Sequence, residues 1–190
     1  MMDGGLGALR VLVIDDNAQM RLLVRSMLRA AGIFHCREAK NVDDGLATMR
    51  TFGADLVLCD LAMTPKDGLA FARHVRRAPD SPNPFVSIIM MTCHSQLSQV
   101  ALARDIGVNS FLAKPISARS LIEHILAAIN DSRPFVRCDN FFGPDRRRQK
   151  LGAYRGPWRR LEDSADEDDA ANSLDLDTAF GARPLAARAC

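Results

Sequence analysis

Four short apolar runs constrain this chain more than anything else in it. Val11-Leu-Val-Ile14 ends in Asp15-Asp16, and Asp55-Leu-Val-Leu-Cys-Asp60 ends in an aspartate of its own. Phe85 to Met91 ends in Thr92, and a fourth run ends in Phe111-Leu-Ala-Lys114-Pro115. Such runs, apolar on both sides, suit strands covered on both faces, as in a parallel sheet between helices. Each delivers a charged or hydroxyl side chain to its C-terminal tip. In open α/β sheets those tips line one crevice, the usual place for a site.

The segments between the runs read as helices. Asn17 can cap one whose apolar positions Met20, Leu23, Val24, Met27 and Leu28 recur at threes and fours, with Gly32 ending it. Ile33 to Cys36 is a plausible second strand, and Asn41 can cap a helix ending near Gly53. Asp67-Gly68 opens a third helix that stops before Pro79. A helix near Ser95–Ile106, a short strand Val108–Ala113 and a helix from Ser117 to about Ile129 complete the pattern. Five β-α units in about 120 residues point to a parallel sheet with helices on both faces.

Bulk properties exclude several classes. The 190 residues carry 47% hydrophobic side chains, enough for a core, and a net charge of only +2. No apolar run approaches a membrane span of about 20 residues, and no secretory signal opens the chain. A cytoplasmic protein with no membrane partner is expected. Five cysteines, an odd number without a CxxC pair, rule out a simple disulfide framework. Cys59 and Cys93, in or beside strand patterns, read as small buried hydrophobes.

The tips supply a specific chemistry. Three carboxylates side by side, Asp15, Asp16 and Asp60, repel one another unless a cation sits between them. Their hard oxygens suit magnesium, which bridges carboxylates to phosphate. Asp60 is then placed as a nucleophile for a phosphoryl group, Lys114 as a point charge for a phosphate oxygen, and the Thr92 hydroxyl as a donor to another. A cis bond before Pro115 would turn the chain sharply and aim Lys114 inward.

On these residues the chain resembles the receiver domain of two-component response regulators over residues 9–130, especially chemotaxis-type stand-alone receivers. Asp15-Asp16, Asp60, Met63, Asp67-Gly68, Thr92, Phe111 and Lys114-Pro115 carry the resemblance. It implies a flavodoxin-like five-stranded sheet in the order 2-1-3-4-5. It implies an aspartyl phosphate on Asp60, received from a histidine kinase or a histidine phosphotransfer protein. Magnesium would be held by Asp16, Asp60 and the backbone carbonyl of Ala62, with Asp15 acting through water. Thr92 would move toward the phosphate while Phe111 rotates inward, remodelling the face that binds a downstream protein. A phosphorylation-dependent homodimer is compatible with this. Such a protein is not an enzyme beyond slow hydrolysis of its own phosphate. Two departures stand out: Thr64-Pro65 where proline usually follows the methionine directly, and Cys93 where alanine or glycine is common after the threonine. Ala62 and His94 occupy the two positions that tune phosphate lifetime in the family, and Ala62 offers no side chain to orient a water.

Beyond Asn130 the pattern stops. Residues 133–160 hold nine basic and two acidic side chains, and residues 161–190 two basic and eight acidic. Composition predicts a largely disordered extension over 131–190, unable to bury a core of its own. It contains a repeat, Phe141-Phe-Gly-Pro-Asp-Arg-Arg147 and Tyr154-Arg-Gly-Pro-Trp-Arg-Arg160. Phe142, Arg146, Arg147, Tyr154, Trp158, Arg159 and Arg160 are candidate docking residues for a protein partner, aromatic and arginine side chains being favoured as interface anchors. A plain solubilising extension is the competing reading. The alternative function is a DNA-binding transcriptional regulator using the basic tail. No recognition helix is visible there and the acidic block opposes nucleic acid.

Overall fold

Helices begin where capping side chains stand. The computed structural model describes residues 6–93, 97–138 and 141–145. A 3-10 turn (Leu6–Ala8) leads into β1 (Arg10–Ile14). The Asn17 side chain then accepts hydrogen bonds from the Gln19 and Met20 amides and opens α1 (Ala18–Ala30). β2 (His35–Ala39) is followed by α2 (Val42–Phe52), capped by Asn41, and β3 (Leu56–Asp60) by α3 (Gly68–Arg77), capped by Asp67. β4 (Ser87–Cys93), α4 (Leu97–Ile106), β5 (Ser110–Lys114) and α5 (Ala118–Ile129), capped by Ser117, finish the alternation.

The sheet is parallel throughout, in the expected order β2-β1-β3-β4-β5. β3 is buried at all five positions, as its apolar run requires. Val11, Val13, Leu56, Leu58, Ile89, Met91 and Leu112 pack with Val24 and Leu28 of α1 and Leu121 and Ile125 of α5. The alternate residues face α2, α3 and α4, where Ile14 and Phe71 meet at Gly45.

Some boundaries differ from the sequence expectation. The second strand is His35–Ala39, because pairing Arg10 with His35 through Ile14 with Ala39 sets its register. Ile33 is a core residue of the preceding turn and Phe34 is exposed. Phe85 lies before β4 and is 59% exposed. Cys59 is buried as expected, but Cys93 is exposed because it sits beyond the covered part of β4.

The largest difference lies past Asn130. Phe135–Cys138 (β6) and Phe141–Pro144 (β7) pair antiparallel, and the Asp145 amide donates to the Pro134 carbonyl to close the ribbon. β7 packs on α3 and α4. This short ribbon builds no core of its own, and the rest of the expected extension, residues 146–190, lies outside the described residues. The ribbon borrows a core: Phe141 and Phe142 are each 8% exposed, and the rings of Phe135 and Phe142 lie 5.3 and 5.2 Å from that of Phe85. Gly107 has φ +100 and stacks against β7, where a Cβ on it would run into the Phe142 carbonyl. Arg133 donates to the Asn109 carbonyl and pairs with Asp131 at 2.7 Å, tying the lead-in segment down.

Candidate functional site

The C-terminal rim gathers the charged tips. Asp15 and Asp16 follow β1, Asp60 ends β3, Thr92 is near the end of β4 and Lys114 ends β5. Carboxylate oxygens of Asp15, Asp16 and Asp60 all lie within 4.8 Å of one another, so these three groups can hold one metal ion. Lys114 Nζ reaches Asp60 Oδ1 at 2.8 Å and Asp15 Oδ2 at 3.0 Å. The Lys114-Pro115 bond is cis, as expected, and so is Thr64-Pro65.

Each acid is held differently. Asp15 is fully buried, with Oδ1 accepting from the Asn17 amide at 2.8 Å and Oδ2 from Lys114. Asp60 is 5% exposed and is paired through Oδ1. Asp16 is exposed. Gly68 lies so close behind Asp60 that a Cβ would strike the Asp60 carbonyl and the Met90 sulfur. Its amide donates to the Leu61 carbonyl, while the Leu61 amide donates to Met91 of β4. Both bonds anchor Leu61, between Asp60 and the exposed Ala62 of the loop.

One ammonium among three carboxylates leaves the rim net negative, and the ionisation equilibria follow. Burial raises the Asp60 carboxyl above its ordinary pKa; Lys114 opposes this, and the charges of Asp15 and Asp16 add to it. Burial pulls Lys114 down, but its hydrogen bonds and charge interactions with Asp60 and Asp15 outweigh that and leave it raised. Both directions say the same thing: the rim favours added positive charge. Hard carboxylate oxygens in such a field fit a small divalent cation.

The remaining expected residues are placed as follows. Thr92 is 1% exposed and its hydroxyl donates to the Cys93 carbonyl at 3.2 Å. Phe111 is 4% exposed, already turned into the fold, on the sheet face opposite Leu112. Ala62 is exposed on the loop after β3. Phe142, a candidate docking residue, is committed to the ribbon's own packing, with the Arg137 guanidinium 4.8 Å over its ring. His94, Arg146, Arg147, Tyr154, Trp158, Arg159 and Arg160 lie outside the described residues.

Sequence reading missed Arg21. Its Nη1 donates to the carbonyls of Asp15 and Asp16, and its Nε to Glu38. A signal was present, since a cation near the start of a helix opposes the helix dipole and needs a reason to be there.

Comparison with known proteins covers this same rim. A model described as the response regulator receiver domain matches residues 11–126. The phosphate regulon transcriptional regulatory protein PhoB of Pseudomonas aeruginosa is 27% identical over 124 residues, 65% of this chain and 53% of PhoB. The transcriptional regulatory protein ZraR of Salmonella typhimurium is 30% identical over 127 residues, 67% of this chain and 28% of ZraR. The chain thus spans about half or less of these relatives. Among solved structures, the receiver domain of NtrX from Brucella abortus is 27% identical, covering 64% of this chain and 99% of that domain with a TM-score of 0.58.

Proposed function

Because this chain belongs to the response regulator receiver domain family, we propose that Asp60 accepts a phosphoryl group from a histidine kinase or histidine phosphotransfer protein. An Asp60 oxygen attacks phosphorus, the phosphorus–nitrogen bond of the donor breaks, and the imidazole leaves with the electron pair. The observation that carries this reading is Lys114 bridging Asp60 and Asp15 within a cluster of three carboxylates. Asp16, Asp60 and the Ala62 carbonyl would hold magnesium, with Asp15 reaching it through water. The metal supplies neutralisation of phosphoryl oxygens, without which a carboxylate attacks phosphorus poorly.

This chain's own residues do the rest. Lys114 stands ready to exchange a carboxylate partner for a phosphoryl oxygen. The Thr92 hydroxyl, bonded to the Cys93 carbonyl, is the donor that would turn to the phosphoryl group. With Phe111 already inward, the readout falls mainly on Thr92 and the α4–β5–α5 face, which would meet a downstream protein. Ala62 orients no water, so hydrolysis should be slow. Among the described residues no helix is long and apolar enough to cross a membrane. The relatives named as transcriptional regulators match this chain over about half or less of their own length, and DNA binding gains no support from that match.

The test uses the full chain with phosphoramidate, a small phosphorus–nitrogen donor, in magnesium buffer. Intact mass should rise by one phosphoryl group, and Asp60→Asn should abolish the gain. The label should persist for minutes after donor removal. Labelling that survives Asp60→Asn would overturn the assignment, and decay within seconds would overturn the lifetime.

A further inference from the structure

The three carboxylates of the rim are not equally constrained. Asp15 is fixed at both oxygens, by the Asn17 amide and by Lys114. Asp60 is fixed by Lys114 and by the tight backbone around Gly68. Asp16 is exposed, and among the described residues its carboxylate has no hydrogen-bonded partner. No side-chain bond among the described residues directs it, so the backbone's placement of its Cα–Cβ bond decides which rotamers reach the other two acids.

That backbone is gripped by Arg21. One guanidinium nitrogen, Nη1, donates to the Asp15 carbonyl at 2.8 Å and to the Asp16 carbonyl at 3.3 Å. For two consecutive acids to aim at one point, the turn between β1 and α1 must direct these carbonyls elsewhere, and Arg21 is where they go. The guanidinium is itself held: Nε donates to Glu38 Oε2 at 3.3 Å, and Glu38 Oε1 pairs with Arg25 at 2.8 Å. Side-chain exposures of 16% for Arg21 and 25% for Glu38 leave little room for water to replace these bonds. Glu38 stands near the end of β2, so the grip ties α1 and two adjacent strands to one turn.

We infer that Arg21, oriented by Glu38, is a positioning residue for the metal: it sets magnesium affinity by aiming Asp16, touching neither metal nor phosphoryl group. The inference rests on the proposed receiver function. It makes a prediction opposite to that of charge alone. A guanidinium close to a cation site repels the cation, so a purely electrostatic Arg21 would weaken magnesium binding and its removal would strengthen it. A positioning Arg21 does the reverse, and groups that orient ligands typically contribute about 10-fold or more in affinity.

Isothermal titration of magnesium chloride into the full chain decides between them. Arg21→Gln should raise the Kd about 10-fold. Arg21→Lys keeps the charge but loses the planar fork, and should also weaken binding. Glu38→Gln, which loosens the guanidinium, should shift Kd in the same direction by a smaller factor. An unchanged or tighter Kd for Arg21→Gln overturns the inference. If that variant does not fold, an unchanged Kd for Glu38→Gln overturns it instead. A wild-type chain that binds no magnesium would remove the metal from the proposed function itself, an outcome distinct from variants binding as well as wild type.

Discussion

Lys114 is a half-buried cation and Arg76 a buried one, and they stand at opposite ends of one sheet. Lys114, at the C-terminal rim, faces Asp15 and Asp60 with its side chain 15% exposed. Arg76, in the last turn of α3 at the N-terminal rim, is 2% exposed. It faces no carboxylate among the described residues. Its donors go to the carbonyls of Gly107, Pro84 and Val86 and to the Asn109 side chain, and the Phe135 ring lies 5.2 Å from the guanidinium. Burial pushes Arg76 down to about 9, which still leaves it charged at neutral pH.

The difference lies in what the partners can do. Backbone carbonyls cannot move or change charge, and a planar guanidinium matches several of them at once. That end is fixed: Arg76 joins the loops before β4 and β5 to the β6–β7 ribbon. Three carboxylates, by contrast, repel one another and are only partly offset by one flexible ammonium. That end is made to accept charge. The buried cation among neutral acceptors serves structure, whereas the half-buried one stands among carboxylates that could hold a metal ion.

The strongest way to break this comparison is Arg76→Leu. It should deprive the buried Gly107 and Val86 carbonyls and the half-buried Pro84 carbonyl of their side-chain donor and lower unfolding free energy by about 3–5 kcal/mol in urea titration; a loss below about 1 kcal/mol would mean the N-terminal rim does not depend on its cation. Next comes Gly143→Ala. The added Cβ would sit 2.6 Å from the Gly107 Cα and 3.0 Å from the Phe141 ring. The ribbon should loosen at a cost of about 2 kcal/mol, with faster amide exchange over 135–138 and 141–143 and unchanged magnesium affinity. A change in that affinity would show that the two ends are coupled.

The smallest effect sharpens the acidic end. With the folded pKa of Asp60 raised above the ordinary 3.8, the folded state holds its proton to higher pH than the unfolded state does. Wild-type stability therefore falls as pH rises from the ordinary value through the folded one, and stays lower above it. Asp60→Asn escapes this loss. In divalent-free buffer it should be more stable than wild type by about 1 kcal/mol at neutral pH, with the gain vanishing as pH falls below the ordinary carboxylate value. A gain of equal size across the whole range, measured by thermal melts, would point to packing instead of charge.

The rim was legible because a doubly covered strand is apolar until it ends, so Asp15, Asp60 and Lys114 announce themselves by breaking the run. The capping residues Asn17, Asn41, Asp67 and Ser117 were legible for the same local reason. β2 was harder, since its ends are set by pairing with β1 and not by its own composition. The ribbon was hidden altogether. β7 finds cover on α3 and α4, Phe142 on Phe85, and Gly143 against Gly107, all distant in sequence.

By itself, then, the sequence determined the alternating sheet, the strand tips and the chemistry gathered there, because each depends on neighbours within a few residues. Tertiary structure alone decided that Arg76 would be buried without an acid among the described residues, that Phe135–Cys138 and Phe141–Pro144 would join the fold, and that Arg21 would grip the turn behind Asp16. Those outcomes depend on which carbonyls and rings arrive beside a side chain after the chain has closed, and no local pattern carries that information.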